Sequence, residues 1–355
     1  MNRHFTPLVF ALFLVASCRD NPSSPPNENP APALVKAVYV LNEGDFNDPS
    51  GARLTIYDVE RDSVYRDVYE GSNGGSHLGN IGDDMRLYNG KAYIVMSGSS
   101  NLVVVNLSDN RKVSEMTFPG SSVHDLLIDS LRGRLYLTRL FSSSVYVVDL
   151  NSLLVIDSIM VGANPQGMVL SDNRIFVCNS GYGGDNTVTV IDAITSTAIA
   201  IITVSDGPTG AALAPDGKLW VVCSGNAFGS VPTLGKVFIV NPITYVKEDS
   251  ISFNENLWGS IAISSDGYAY LLGTTTGSFY GGPVHRVSVS SKAISMNFVN
   301  GTYYGLGYDE VARELYISDV NQFSGNGDVR IYTAGGALRK TFAVQKGPAV
   351  FGFKR

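Results

Sequence analysis

The sequence is poor in charge, cysteine and histidine. Only 16% of its 355 residues are Asp, Glu, Lys or Arg, and 26 basic against 32 acidic residues leave a net charge of −6. No cluster of Lys and Arg appears along the chain, which argues against a nucleic-acid partner, because phosphate neutralisation needs a basic patch. Of four histidines, one is His4 near the start; His77, His124 and His285 have neither zinc-site spacing nor a Cys partner. The motifs GxSxG, GxxxxGK[ST] and HExxH are all missing, so no motif signals hydrolysis or nucleotide chemistry. There is one apolar run, Leu8 to Ala16, too short to span a bilayer.

That run has another reading. Arg3 and His4 precede it, and Val15-Ala16-Ser17-Cys18 ends it. A weakly positive start, a short apolar core and a small-residue cut make an export signal. The closing tetrapeptide resembles the lipobox of bacterial lipoproteins, so residues 1–18 are expected as a lipoprotein signal peptide with Cys18 as the acylated residue. Acyl chains tether by burying methylenes, each contributing about 0.8 kcal/mol. Residues 19–35 carry five Pro between Arg19 and Ala33 and read as an extended spacer. The expected location is the cell envelope, anchored to the outer membrane by lipid alone; Arg19 and Asp20 are not a clear sorting code for either side.

What remains, residues 36–355, is rich in turn formers and strand formers: 37 Gly, 18 Tyr and 16 Phe, with many Val, Ser and Thr. A unit of four short alternating strands recurs with a period of roughly forty to fifty residues. Aligned on the aromatic that opens each second strand, the units start at Tyr39, Tyr93, Tyr136, Phe176, Trp220, Tyr270 and Tyr316. Five of the third strands end in Asp58, Asn106, Asp149, Asp192 and Asn241. An Asx side chain there bonds its own downstream backbone and starts a turn. The first unit lacks an inner strand, and Lys346 to Arg355 supply an unattached one. The fold class is therefore all-β: a seven-bladed β-propeller closed by pairing of the C-terminal strand with the N-terminal blade. Cys178 and Cys223 occupy similar places in neighbouring units. A disulfide is open to an exported protein, but equivalent strands of adjacent blades usually lie too far apart, so two small buried apolar side chains are expected.

VGANPQGMVLSDNRIFVCNSG, followed by NTVTVIDAITSTAIAIITV, resembles the YVTN-type propellers of bacterial and archaeal surface proteins. VYVLNEGDF (Val38 to Phe46) is similar to a subgroup found as lipoproteins in Bacteroidetes-like bacteria, some of which bind cobalamin at the surface and work with TonB-dependent transporters. The resemblance implies a corrinoid or other bulky small molecule and an outer-membrane transporter as partners. It carries over no individual contact residue.

Propeller loops fall on two faces, and here they differ in length. Turns between first and second strands, such as YNGK, SDNR and APDGK, are tight, as are those between third and fourth strands. Six of the loops between second and third strands are long and uneven, and each of these carries an aromatic: Phe46, Phe141, Tyr182, Phe228, Phe279 with Tyr280, and Phe323. The connections into the inner strands share that face and bring Asp83 with Asp84, His124 with Asp125, Gln166, Thr209, Trp258, and Tyr303 with Tyr304 to the channel mouth. Long loops on a rigid scaffold carry binding residues. The expected ligand site is Asp83, His124, Gln166, Tyr182, Phe228, Trp258, Tyr280, Tyr303, Tyr304 and Phe323, suited to a large, flat or partly apolar ligand. A loop aromatic can also fold back over its own blade, and paired acids at a loop end are ordinarily solvated turn residues. Asp45 to Gly51 offers oxygen ligands without the closing Glu of a calcium loop; no metal and no cofactor is expected. Binding is favoured over catalysis, with a protein-interaction scaffold and a metal-dependent propeller hydrolase or lyase as the alternatives.

Overall fold

Alternating apolar residues in short runs, cut by Gly and Asx turns, build sheet after sheet along the chain. The computed structural model describes residues 37–48, 51–275 and 281–355, with the side chain of residue 260 left aside. The expected signal peptide, Cys18, the proline spacer and Tyr280 lie outside the described residues. The strands form seven four-stranded antiparallel sheets. In six blades the strands follow one another from the channel outward. The first blade takes its inner strand, Pro348–Lys354, from the other end of the chain, and this pairs with Ala37–Asn42 through Tyr39 opposite Gly352 and Leu41 opposite Val350.

The core lies between blades rather than within them. All seven aromatics that open the second strands are buried, from Trp220 and Tyr270 at 0% exposure to Tyr93 at 4%. Trp220 of the fifth blade packs with Ala269 and Leu271 of the sixth, and Tyr316 of the seventh packs with Val38 and Tyr57 of the first. Each such burial contributes about 2 kcal/mol. Cys178 and Cys223 are free, fully buried and part of one apolar cluster. Burial pushes the Cys223 thiol up to about 12 and raises Cys178 as well.

All five Asx residues make the expected turn. The Asp149 carboxylate, for example, accepts the N–H groups of Asn151 (3.2 Å) and Ser152 (2.7 Å), and the Asn241 side chain accepts those of Ile243 and Thr244. Asp58, Asn106 and Asp192 bond in the same way. One element has no counterpart in the sequence reading. A five-residue helix, Val68–Ser72, links the first blade to the second and buries Tyr69.

Around the axis the inner strands crowd. A Cβ on Gly210 would meet the Gly259 carbonyl oxygen at 2.5 Å, and one on Gly305 would meet that of Ala349 at 2.2 Å. Those contacts are backbone and cannot yield, so only glycine lets neighbouring blades approach this closely. Deleting residues 346–355 removes the closing strand and bares the edge of Ala37–Asn42. The truncated chain is expected to lose about 10 °C or more in Tm, or to aggregate, in a circular-dichroism melt against the full chain.

Candidate ligand-binding site

The face with long loops opens on a cavity of about 1200 Å³ at the mouth of the channel. Bulges place its lining. In six of the seven blades the inner strand slips register against the second strand at this end. The inserted positions are Asp83 in the second blade, His124 and Asp125 in the third, Gln166 and Gly167 in the fourth, and Thr209 in the fifth. A bulge breaks the two-residue alternation and re-aims side chains, here into the channel.

Seven of the residues expected from the sequence line this cavity: Asp83, His124, Gln166, Tyr182, Phe228, Trp258 and Tyr304. Two others are placed elsewhere. Tyr303 ends the outer strand Ile294–Tyr303 and is buried in the core between the sixth and seventh blades. Its hydroxyl meets the Asn300 carbonyl (3.1 Å) and the Tyr332 hydroxyl (3.3 Å). Successive residues of an extended chain point to opposite sides, so only one of the Tyr303–Tyr304 pair faces the channel. Phe323 stands behind the wall, its ring edge-on to Tyr304 at 5.3 Å.

The wall has two characters. On the side of the fifth to seventh blades it is apolar: Ala211, Ile261 and Leu306, continued by Phe351 of the first blade, with the Trp258 and Tyr304 rings 5.6 Å apart. The rim is aromatic as well. Phe46 and Phe228 are 80% and 86% exposed, and Phe141 stacks on Tyr182 at 5.9 Å. Phe141, Tyr182 and Phe323 all sit in the left-handed region, at φ of 58°, 52° and 58°. Bulky residues rarely hold that conformation, and such strain gathers at ligand-binding loops.

On the side of the first to third blades the wall is ionisable. Asp84, Asp125 and Glu43 are buried, contrary to the expectation that paired acids here are solvated. Asp84 and Asp125 tie blades together. The Asp84 carboxylate accepts the Leu126 N–H (3.2 Å) in the next inner strand, and Asp125 accepts that of Met168 (2.8 Å) in the one after. Arg86 lies 3.1 Å from Asp84 and 3.5 Å from Asp125 and neutralises both in part. Asp83 accepts the Ser97 N–H (2.8 Å), and Glu43 accepts the Tyr304 hydroxyl (2.7 Å). Burial pushes the Asp83 and Glu43 carboxyls up to about 7 and the His124 imidazole down to about 4, so this imidazole is neutral at neutral pH. His124 Nε2 is 3.7 Å from Asp83, beyond hydrogen-bond reach. Glu43 and Arg86 were not singled out from the sequence. Glu43 stands in the quoted stretch VYVLNEGDF, and Arg86 only three positions beyond Asp83.

A carboxyl raised on folding holds its proton more tightly in the folded state. Its neutral form stabilises at low pH, and stability falls as pH rises toward the folded value. For Asp83 and Glu43 the loss spans the region between their ordinary values near 4 and about 7. Asp83→Asn and Glu43→Gln are therefore expected to melt about 3 °C or more above the parent near pH 8, with the difference shrinking as pH falls and vanishing near pH 4, in calorimetric scans of the unliganded protein.

Known proteins resemble this chain in fold. A quinonprotein alcohol dehydrogenase-like protein from Bacteroides thetaiotaomicron superposes with a TM-score of 0.69 at 16% identity, covering 90% of this chain and 78% of that one. Hydrazine synthase from Kuenenia stuttgartiensis gives 0.55 at 19% identity, over 70% and 75% of the two chains. At these identities the likeness is one of architecture alone. No curated protein matches the sequence. A family model described as a domain of unknown function, DUF5074, matches residues 36–353. With nearly all of the propeller under that match, the chain belongs to the DUF5074 family.

Proposed function

We propose that this protein is a lipid-anchored envelope protein that captures a bulky, partly apolar small molecule at its channel mouth and passes it to an outer-membrane transporter. The cavity carries the reading. At about 1200 Å³ it exceeds the roughly 300–1000 Å³ usual for small-ligand pockets, and it joins an aromatic wall to a polar one. A protein surface built only to touch other proteins has no need of so deep a recess. A corrinoid is the particular candidate, on the resemblance carried by Val38 to Phe46 and the fit of a large, flat ligand to the Trp258–Tyr304 wall. Export and tethering rest on Val15-Ala16-Ser17-Cys18, and the spacer that follows would hold the domain off the membrane.

Calorimetric titration of the full chain with cyanocobalamin is expected to show saturable binding at micromolar or lower concentration. Replacing both Trp258 and Tyr304 with Ala is expected to weaken it by about tenfold or more while leaving the melt cooperative. Absence of heat at micromolar concentration removes the corrinoid candidate. Binding unchanged in the double variant removes this wall as the site.

A further inference from the structure

Among the described residues the ionisable wall of the cavity is out of balance. Four carboxyls line it, on Glu43, Asp83, Asp84 and Asp125, against one guanidinium, Arg86. The balance is uneven along the wall. Asp84 and Asp125 share Arg86 and each holds a backbone N–H of the following blade; burial and the neighbouring Asp84 push the Asp125 carboxyl well above the usual carboxylate range, so the one guanidinium faces a pair that is partly protonated. Glu43 and Asp83 have neutral donors instead, the Tyr304 hydroxyl and the Ser97 N–H.

Among the described residues the neighbouring elements bring no second cation to this wall. His124, from the third blade, faces Asp83 but is held neutral by burial. Tyr182, from the fourth blade, also faces Asp83, and burial raises its phenol further. Lys346 precedes Gly347, whose carbonyl accepts the Glu43 N–H, but its ammonium is bound to Asp45. Beside Glu43 stands the Trp258–Tyr304 pair, the Tyr304 hydroxyl bonded to its carboxylate, and an aromatic face attracts a cation that lies over it. Carboxyls with neutral partners next to aromatic rings make a receptor for positive charge on an apolar frame.

Resting on the reading of this cavity as a ligand site, we infer that its ligand bears a cationic group, an ammonium or comparable nitrogen cation, seated between the Glu43 and Asp83 carboxyls with its apolar body on Trp258 and Tyr304. Binding then couples to protons. Each carboxyl, pushed up to about 7 by burial, must ionise fully to meet the cation, so capture releases protons and tightens as pH rises. Between about pH 6 and about pH 8 the ionised fraction of such a group rises roughly tenfold, and affinity for a cation follows it.

A matched set of probes separates charge from shape: tryptamine, indole-3-ethanol and indole-3-propionate share one ring and differ in carrying a positive, no or a negative charge. Titrated into the full chain by calorimetry, tryptamine is expected to bind at least about tenfold more tightly than the alcohol near pH 8, with the propionate weakest, and its advantage should shrink about tenfold near pH 6. Proton release, read from buffers of different ionisation enthalpy, should accompany tryptamine alone. Asp83→Asn and Glu43→Gln, each nearly isosteric and checked by melting, should cut the tryptamine preference without weakening the alcohol. Equal binding of the three probes, or preference for the propionate, overturns the cation assignment and leaves the cavity as a ligand site. Binding of none of them overturns the assignment too, and cyanocobalamin binding then decides whether the cavity reading survives. A preference that persists in both variants places the cation elsewhere and also overturns it.

Discussion

Seven sheets that meet around one axis must solve a crowding problem, and most of what is distinctive in this molecule follows from the solution. At Gly210 and Gly305 the inner strands run so close to the next blade that a single methyl group would strike a backbone carbonyl. Further toward the channel mouth the strands escape the same pressure by bulging, in six blades of seven. Each bulge breaks the side-to-side alternation at the place where the channel widens. The residues freed in this way, Asp83, His124, Gln166 and Thr209, are polar, and they become the floor and wall of the cavity. Closure of the ring rests on the pairing of Pro348–Lys354 with Ala37–Asn42.

A cavity built in this way costs stability. Asp83 and Glu43 are carboxyls withdrawn from water without a counter-charge, and burial raises both toward neutrality. The left-handed backbone at Phe141 and Tyr182 is a second local cost, carried by aromatics that gain little burial in return. The buried carboxyls gather around one recess, whereas left-handed residues are also found in the tight turns of the opposite face, at Leu153, Ser196 and Tyr245. Sites that must bind something are ordinarily where such expense is kept.

Much of the fold could be read along the chain because the signals that set it are short in range. An aromatic opening each second strand and an Asx closing the third recur within one repeat, so seven units could be counted and their turns foreseen, down to the N–H groups that Asp149 and Asn241 cap. The site was less legible. Asp83 and Asp84 look like a solvated turn in sequence, since nothing local reveals that a bulge aims one into the channel while the other bonds the next blade. Tyr303 and Tyr304 look equivalent, and only the strand that Tyr303 completes decides that one belongs to the core. Glu43 and Tyr304 lie 261 residues apart and meet because the ring closes.

Composition, period and turn chemistry by themselves determined the strand class, the number of blades, the closing strand and the face on which the long loops gather, because each depends on patterns no longer than a blade. Tertiary structure alone decided which polar residues are buried, which aromatic of a pair faces the channel, and that two carboxyls share a wall without a cation between them. Those properties depend on dielectric and on the meeting of distant strands. Neither is set until seven blades have closed around a common axis.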